Sequence, residues 1–294
     1  MVFNELLALQ QQYFNSSTTH DWDCARFDYY LLSKAAITLA QSLSMIYTLY
    51  GVTSSPSISF LIMILMVIVL QNVLFFVEMH YFIAVLYIYR YFWLLHQQFE
   101  CVRLQRNQPS AVRNVTAVGI QNCLHPAKSL VEEFNRMTDI YIRLMYVSAK
   151  LSRLYEQQLL MLIGSFVSAN VQSLFYICVF FSGKIVEVTF ENFFYFSQGF
   201  IVNVIDFWIN ITVCEHTLRT ASETLSFLQI FGEYTNLDRE EAQSLEMFSI
   251  LCCSHTLDFR ICDFFELNHS TGHRVLMTAI LYLVFLVQFD YMNL

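Results

Sequence analysis

Between Lys34 and Arg90 the chain carries a single charged side chain, Glu78. So long a stretch with one charge suits a hydrocarbon core of about 30 Å, which a helix crosses with roughly 20 apolar residues. Residues 51–56, GVTSSP, divide it, because Gly and Ser supply turn geometry and Pro breaks a helix interior. Two spans are therefore expected, over 29–50 and 57–95. If helical throughout, the second is about 58 Å long at 1.5 Å per residue, so its end, RYFWLLHQQFE, should project beyond the bilayer. A third span, 157–183, has no charge, and a fourth, 192–214, is interrupted only by Asp206. A last apolar run over 275–289 has 15 residues, a length that also suits a buried core helix.

Composition points to the same solvent. Hydrophobic residues make up 56% of the chain and charged residues 14%, against about 25% charged in soluble domains. The expected fold is all-α, a polytopic transmembrane helix bundle of five spans. Residues 90–153 hold 9 of the 16 Lys and Arg, which marks that segment as cytoplasmic under the positive-inside rule. Alternation then puts the C-terminus outside and 215–274 inside. That second segment holds four bases and ten acids, and acids count little in the rule. Residues 1–28 are expected to be a cytoplasmic segment and 29–294 the bundle, with cytoplasmic anchor segments at about 96–156 and 215–274. The opening MVFNELLALQQQYF lacks a basic region and a clean apolar run, so it reads as an amphipathic helix and not a signal peptide. The net charge of −8 identifies no partner, and no nucleic-acid partner is expected.

Polar groups inside spans carry the functional hypotheses, because each is expensive there. In GFIVNVIDFWINITVC, Asn203, Asp206 and Asn210 recur on one helix face, which must meet a wet cavity or polar partners on a neighbouring helix. Trp208 nearby offers a flat wall for a small organic ligand. Ser165, Ser168, Gln172 and Tyr176 form a similar stripe in the third span, with helix packing as its plainer reading. Glu78 and His80 point about 200° apart on a helix and cannot grip one ion together, so Glu78 is expected to meet a Tyr or a backbone group.

The eight cysteines do not form a disulfide framework, since most fall in segments assigned to the reducing cytosol. Cys252, Cys253, His255, Cys262 and His269 can be assembled into a zinc site, but no CxxC pair is present and the residues follow a helical pattern. The sequons at Asn15, Asn114, Asn210 and Asn268 fall inside the cell or the membrane under this topology, so unmodified Asn is expected. There is no GxSxG, HExxH or phosphate-cradling loop, and neither an enzyme nor a cofactor is expected.

Three stretches resemble the insect gustatory receptor family, within the insect chemoreceptor superfamily. Near the C-terminus, Tyr282, five hydrophobic residues, Gln288 and Phe289 match its T-Y, five hydrophobic residues, Q-F pattern, with Leu281 in place of Thr. LFFVEMHYFIAVLYIYRYFWLLHQQFE is similar to the fourth helix of these receptors. The block from FSILCCSH to LMTAI resembles the segment leading into their last span, with Phe264, Phe265, Leu267 and Asn268 matching and Asp263 where Gly is usual.

The resemblance implies a taste receptor subunit of the plasma membrane. Such subunits have seven helices and assemble as a homo- or hetero-tetrameric, ligand-gated cation channel in membrane lipid, gated by a small-molecule tastant. It implies a pore lined by the last helix, here with Tyr282, Phe285, Gln288 and Phe289, where a ring of amides could meet passing ions. Pocket candidates are then Gln172, Tyr176, Asn203, Asp206, Trp208 and Asn210. The five spans correspond to helices three to seven of the family, so the first two are expected to be missing. Two other readings stand beside this one: a non-conducting, modulatory subunit, and a secondary transporter using Asp206 and Glu78 as coupling carboxylates.

Overall fold

The computed structural model describes residues 2–14, 24–52, 58–107, 129–182, 190–234, 237–255, 257–261 and 265–292. Pro56, Cys123, Cys262, Asp263, Phe264, Asn15 and Asn114 lie outside them. The described helices are α1 (Val2–Tyr13), α2 (Ala25–Val52), α3 (Ile58–Asn107), α4 (Leu130–Ser182), α5 (Phe190–Tyr234), α6 (Arg239–Ser254) and α7 (His269–Met292). A two-stranded antiparallel pair, β1 (Arg260–Ile261) and β2 (Phe265–Glu266), precedes α7.

The expected all-α polytopic bundle is what the chain forms. Among the described residues, four helices are long and apolar enough to cross a membrane, within α3, α4, α5 and α7. The first expected span falls in α2, whose 28 residues extend about 42 Å, with the side chains of 44–52 outside those described. The expected third and fourth spans are parts of far longer helices, α4 with 53 residues and α5 with 45. The short last run is extended by a helical turn and a half at its start, because Asn268 caps α7. Its side chain accepts a hydrogen bond from Thr271 N–H at 2.8 Å, satisfying a donor that a helix start leaves free.

The chain divides into two compact units, and α3, α4 and α5 contribute to both. The first unit comprises Met1–Asp28, Ala84–Leu154 and His216–Phe259. Its core is aromatic: Phe99 stacks near Phe248, Phe134 meets Phe231 edge-on at 5.2 Å, and Tyr141 meets both Phe92 and Phe248 edge-on. On α4, Phe134, Met137, Tyr141, Leu144, Ser148 and Leu151 recur every three or four residues and are buried, which is the spacing of an inward helix face.

The amphipathic helix expected at the start is α1, which buries Val2, Leu6 and Leu9. A second stripe on α4 holds it. Arg136, Arg143 and Lys150 recur at intervals of seven, so they share a face. They donate hydrogen bonds to Tyr13 O, to Gln12 Oε1 and to Glu5 Oε1 respectively. Three of the basic residues that mark 90–153 as positive thus also clamp a helix.

The second unit comprises Tyr29–Ile83, Tyr155–Glu215 and Arg260–Leu294. Phe166, Phe207, Ile211 and Val275 form a small apolar core that ties α4, α5 and α7 together. Gly272 allows α7 to approach α5 closely, since a Cβ there would lie 2.6 Å from Ile211 Cδ1. The start of α7 is anchored to α5 as well, because Glu215 Oε2 accepts a hydrogen bond from His269 N–H at 2.7 Å.

Candidate functional site

The site lies within the second unit and starts from one lysine. Lys34, on α2, is 1% exposed although it is long and charged. A lysine can be buried so fully only if its ammonium finds partners. It has two: Glu78 Oε1 on α3 at 2.5 Å and Asp206 Oδ1 on α5 at 2.6 Å. Both acids are themselves more than nine-tenths buried.

The helix geometry that brings them together is simple. On α5, Asn203, Asp206 and Asn210 occupy one face, as their spacing predicts, and each finds a polar partner. Asn210 donates to Glu78 Oε1 at 2.6 Å and to the carbonyl of Asp206 at 2.8 Å. Gln41, two turns along α2 from Lys34, donates to Asn203 Oδ1 at 3.5 Å. This face finds polar partners on neighbouring helices, and a cavity lies beside them.

The cavity has a volume of about 90 Å³, and its wall includes Glu78, Asp206, Asn203, Gln41 and Gln71. Phe75, Phe166 and Phe207 add aromatic surface to the wall, and Ser165 and Ala169 contribute from α4. Its wall mixes polar and apolar side chains, as sites that orient a small ligand tend to do.

Other candidates lie elsewhere. Trp208 follows Asp206 by two residues, about 200° around the helix, so it turns away from the cavity. It stacks on His269, with ring centres 5.1 Å apart, and meets His273 edge-on. Gln172 and Tyr176 are exposed, and Tyr176 stacks on Phe196 at 4.4 Å. From that stripe Ser165 reaches the cavity wall. Glu78 meets neither a Tyr nor a backbone group in its described bonds; it takes Lys34 and Asn210 instead, a correction that follows from the cation on α2. His80 packs against Phe76, with ring centres 4.3 Å apart.

Lys34 and Gln41 are the residues of this cluster that sequence reasoning missed. The available signal was charge balance: two carboxylates inside spans require a cation, and Lys34 is within the first span.

On α7, Tyr282, Phe285, Gln288 and Phe289 are all exposed, Phe289 by 72%. The helix turns Gly272, Val275 and Ala279 inward instead. Among the described residues no three His, Cys, Asp or Glu side chains gather closely enough to hold a metal ion. Of the zinc set, Cys252 is buried and Cys253 exposed, His269 belongs to Glu215 and Trp208, and Cys262 is outside the described residues.

Comparison with known proteins agrees with this architecture. Residues 2–293 match the family described as 7tm Chemosensory receptor. The chain is similar to "Gustatory receptor for bitter taste 22e" of Drosophila melanogaster, with 28% identity over 99% of this chain and 70% of the relative. It is also similar to "Putative gustatory receptor 22b" of the same organism, with 29% identity over 100% of this chain and 70% of that relative. A third relative, "Putative gustatory receptor 22d", is 25% identical over 100% of this chain and 70% of its own length.

Proposed function

Because the chain belongs to the 7tm chemosensory receptor family, among the insect gustatory receptors, we propose that this multi-pass membrane chemoreceptor works as a ligand-gated cation channel of the plasma membrane. The observation that carries the reading is the cavity of about 90 Å³ in the second unit, with the Asp206 and Glu78 carboxylates in its wall. A small-molecule tastant binds there, oriented by Asp206 and Asn203, while Asn210 holds Glu78 in place. We take a bitter compound as its class from the name of one relative.

The conduction path is assigned to α7. Its inward stripe is used against α5, whereas Tyr282, Phe285, Gln288 and Phe289 remain exposed in the single chain. In a tetramer that face lines the pore, and four Gln288 amides with four Phe289 rings form the constriction. Residues 1–28, 96–156 and 215–274 lie on the cytoplasmic side in this scheme and the C-terminus outside. The outward apolar side of α3 meets lipid.

Whole-cell recording tests the two assignments separately. Gln288→Ala is expected to change conductance or ion selectivity with the agonist response retained, and Asp206→Ala to weaken the agonist response with the conductance retained. Parent-like behaviour of both variants in a working channel contradicts the reading. A second reading is favoured by the meeting of Glu78 and Asp206 on one lysine, a geometry that also suits coupling carboxylates of a transporter. Solute uptake without current would select it.

A further inference from the structure

In the second unit one ammonium stands between two carboxylates. Among the described residues the ion pairs of Glu78 and Asp206 both run to Lys34, at 2.5 and 2.6 Å. With all three ionised, the cluster has one negative charge in excess, and burial disfavours an uncompensated charge strongly. The Asn210 amide, 2.6 Å from Glu78 Oε1, spreads that charge without cancelling it.

The charges are also placed asymmetrically. Both carboxylates line the cavity, together with the amide side chains of Gln41, Gln71 and Asn203. Lys34 is absent from the cavity wall; its side chain is 2% exposed and its ammonium sits 5.6 Å from the centre of the Phe82 ring. A group that enters the cavity therefore meets carboxylates at close range with the lysine behind them. The remaining wall includes Phe75, Phe166 and Phe207, of which Phe166 and Phe207 stack on each other with ring centres 4.1 Å apart.

We infer that this cavity takes a positively charged head group, a protonated amine or ammonium of a few non-hydrogen atoms, whose charge completes the balance of the cluster. The size follows from the volume: about 90 Å³ is smaller than a cavity of roughly 150 Å³ that holds benzene. The inference rests on the reading of this cavity as the ligand pocket and adds the chemical class that the pocket selects.

The test is a calorimetric titration of the full chain in lipid nanodiscs at pH 7, with n-propylammonium and with n-propanol as its neutral match. The amine should bind at least tenfold more tightly than the alcohol. Asp206→Asn and Glu78→Gln should each weaken the amine at least tenfold, and Ala169→Leu, which fills the cavity from α4 and leaves the charges in place, should abolish binding. Equal affinity for amine and alcohol, or no amine binding to the folded parent, overturns the inference and leaves the charge balance to a bound proton. Amine binding that survives Ala169→Leu overturns it too. A neutral agonist whose currents vanish in Ala169→Leu, with the amine inert, keeps the pocket and overturns only the cation. Agonist currents indifferent to Ala169→Leu overturn the pocket itself.

Discussion

The two ends of α3 are built from the same kind of residue and meet opposite surroundings. Ile62, Leu65, Met66, Val69, Leu70, Val73 and Phe76 are each more than half exposed. Further along, Phe82, Leu86, Ile88, Phe92 and Leu95 are no more than 1% exposed. Hydropathy cannot separate these regions, because lipid and a protein core are equally good solvents for Leu and Phe. What differs is the supply of hydroxyls. Tyr81, Tyr87, Tyr89 and Tyr91 all fall in the buried part, where neighbouring helices provide partners such as the Leu6 carbonyl that accepts from Tyr91. Residues 62–76 have no hydroxyl, and the exposed Asn72 among them donates to its own helix, to Ile68 O at 2.9 Å.

The sharpest test lies where buried charge interrupts the apolar pattern of α3, at Glu78 and its partner Lys34. Lys34→Met leaves two buried carboxylates without their cation and is expected to cost about 3–5 kcal/mol in reversible unfolding. Adding Asp206→Asn should recover part of that loss, and additive effects would mean the pair is not coupled. Next in size is a pair of identical substitutions on α3. Leu95→Ala should cost about 2–5 kcal/mol and Leu70→Ala no more than about 0.5 kcal/mol. Similar losses at both positions would erase the distinction between the two ends.

Smaller effects probe the contacts within each unit. Gly272→Ala should cost about 1–3 kcal/mol through the clash with Ile211, and Ile211→Val, which removes the clashing methyl, should return most of it. In the first unit, burial pushes the Cys252 thiol up to about 12, whereas Cys253 is exposed. Alkylation at pH 8, followed by mass spectrometry, should modify Cys253 at least about tenfold faster than Cys252.

Much of this was legible in the sequence for physical reasons. A run of apolar residues without charge has few ways to satisfy its backbone except as a helix, so α3, α4, α5 and α7 could be anticipated. The stripe of Asn203, Asp206 and Asn210 was readable because helix periodicity fixes which side chains share a face. Periodicity says nothing about what a face meets. Lys34 near the start of an apolar run looks like a flanking charge that reaches toward the interface, and only the packing of α2 against α3 and α5 makes it the centre of a cluster. Trp208 was drawn toward the site by closeness in sequence, although two residues on a helix point nearly opposite ways. The β1–β2 pair gave no signal, since strands of two residues are too short to show alternation.

The measurement that addresses the comparison most directly is photolabelling with a diazirine-bearing lipid in native-like nanodiscs, mapped by mass spectrometry along α3. The account predicts label on residues 62–76 and little on residues 82–95. Label of equal density on both stretches would contradict it, because the buried end would then be facing lipid as well.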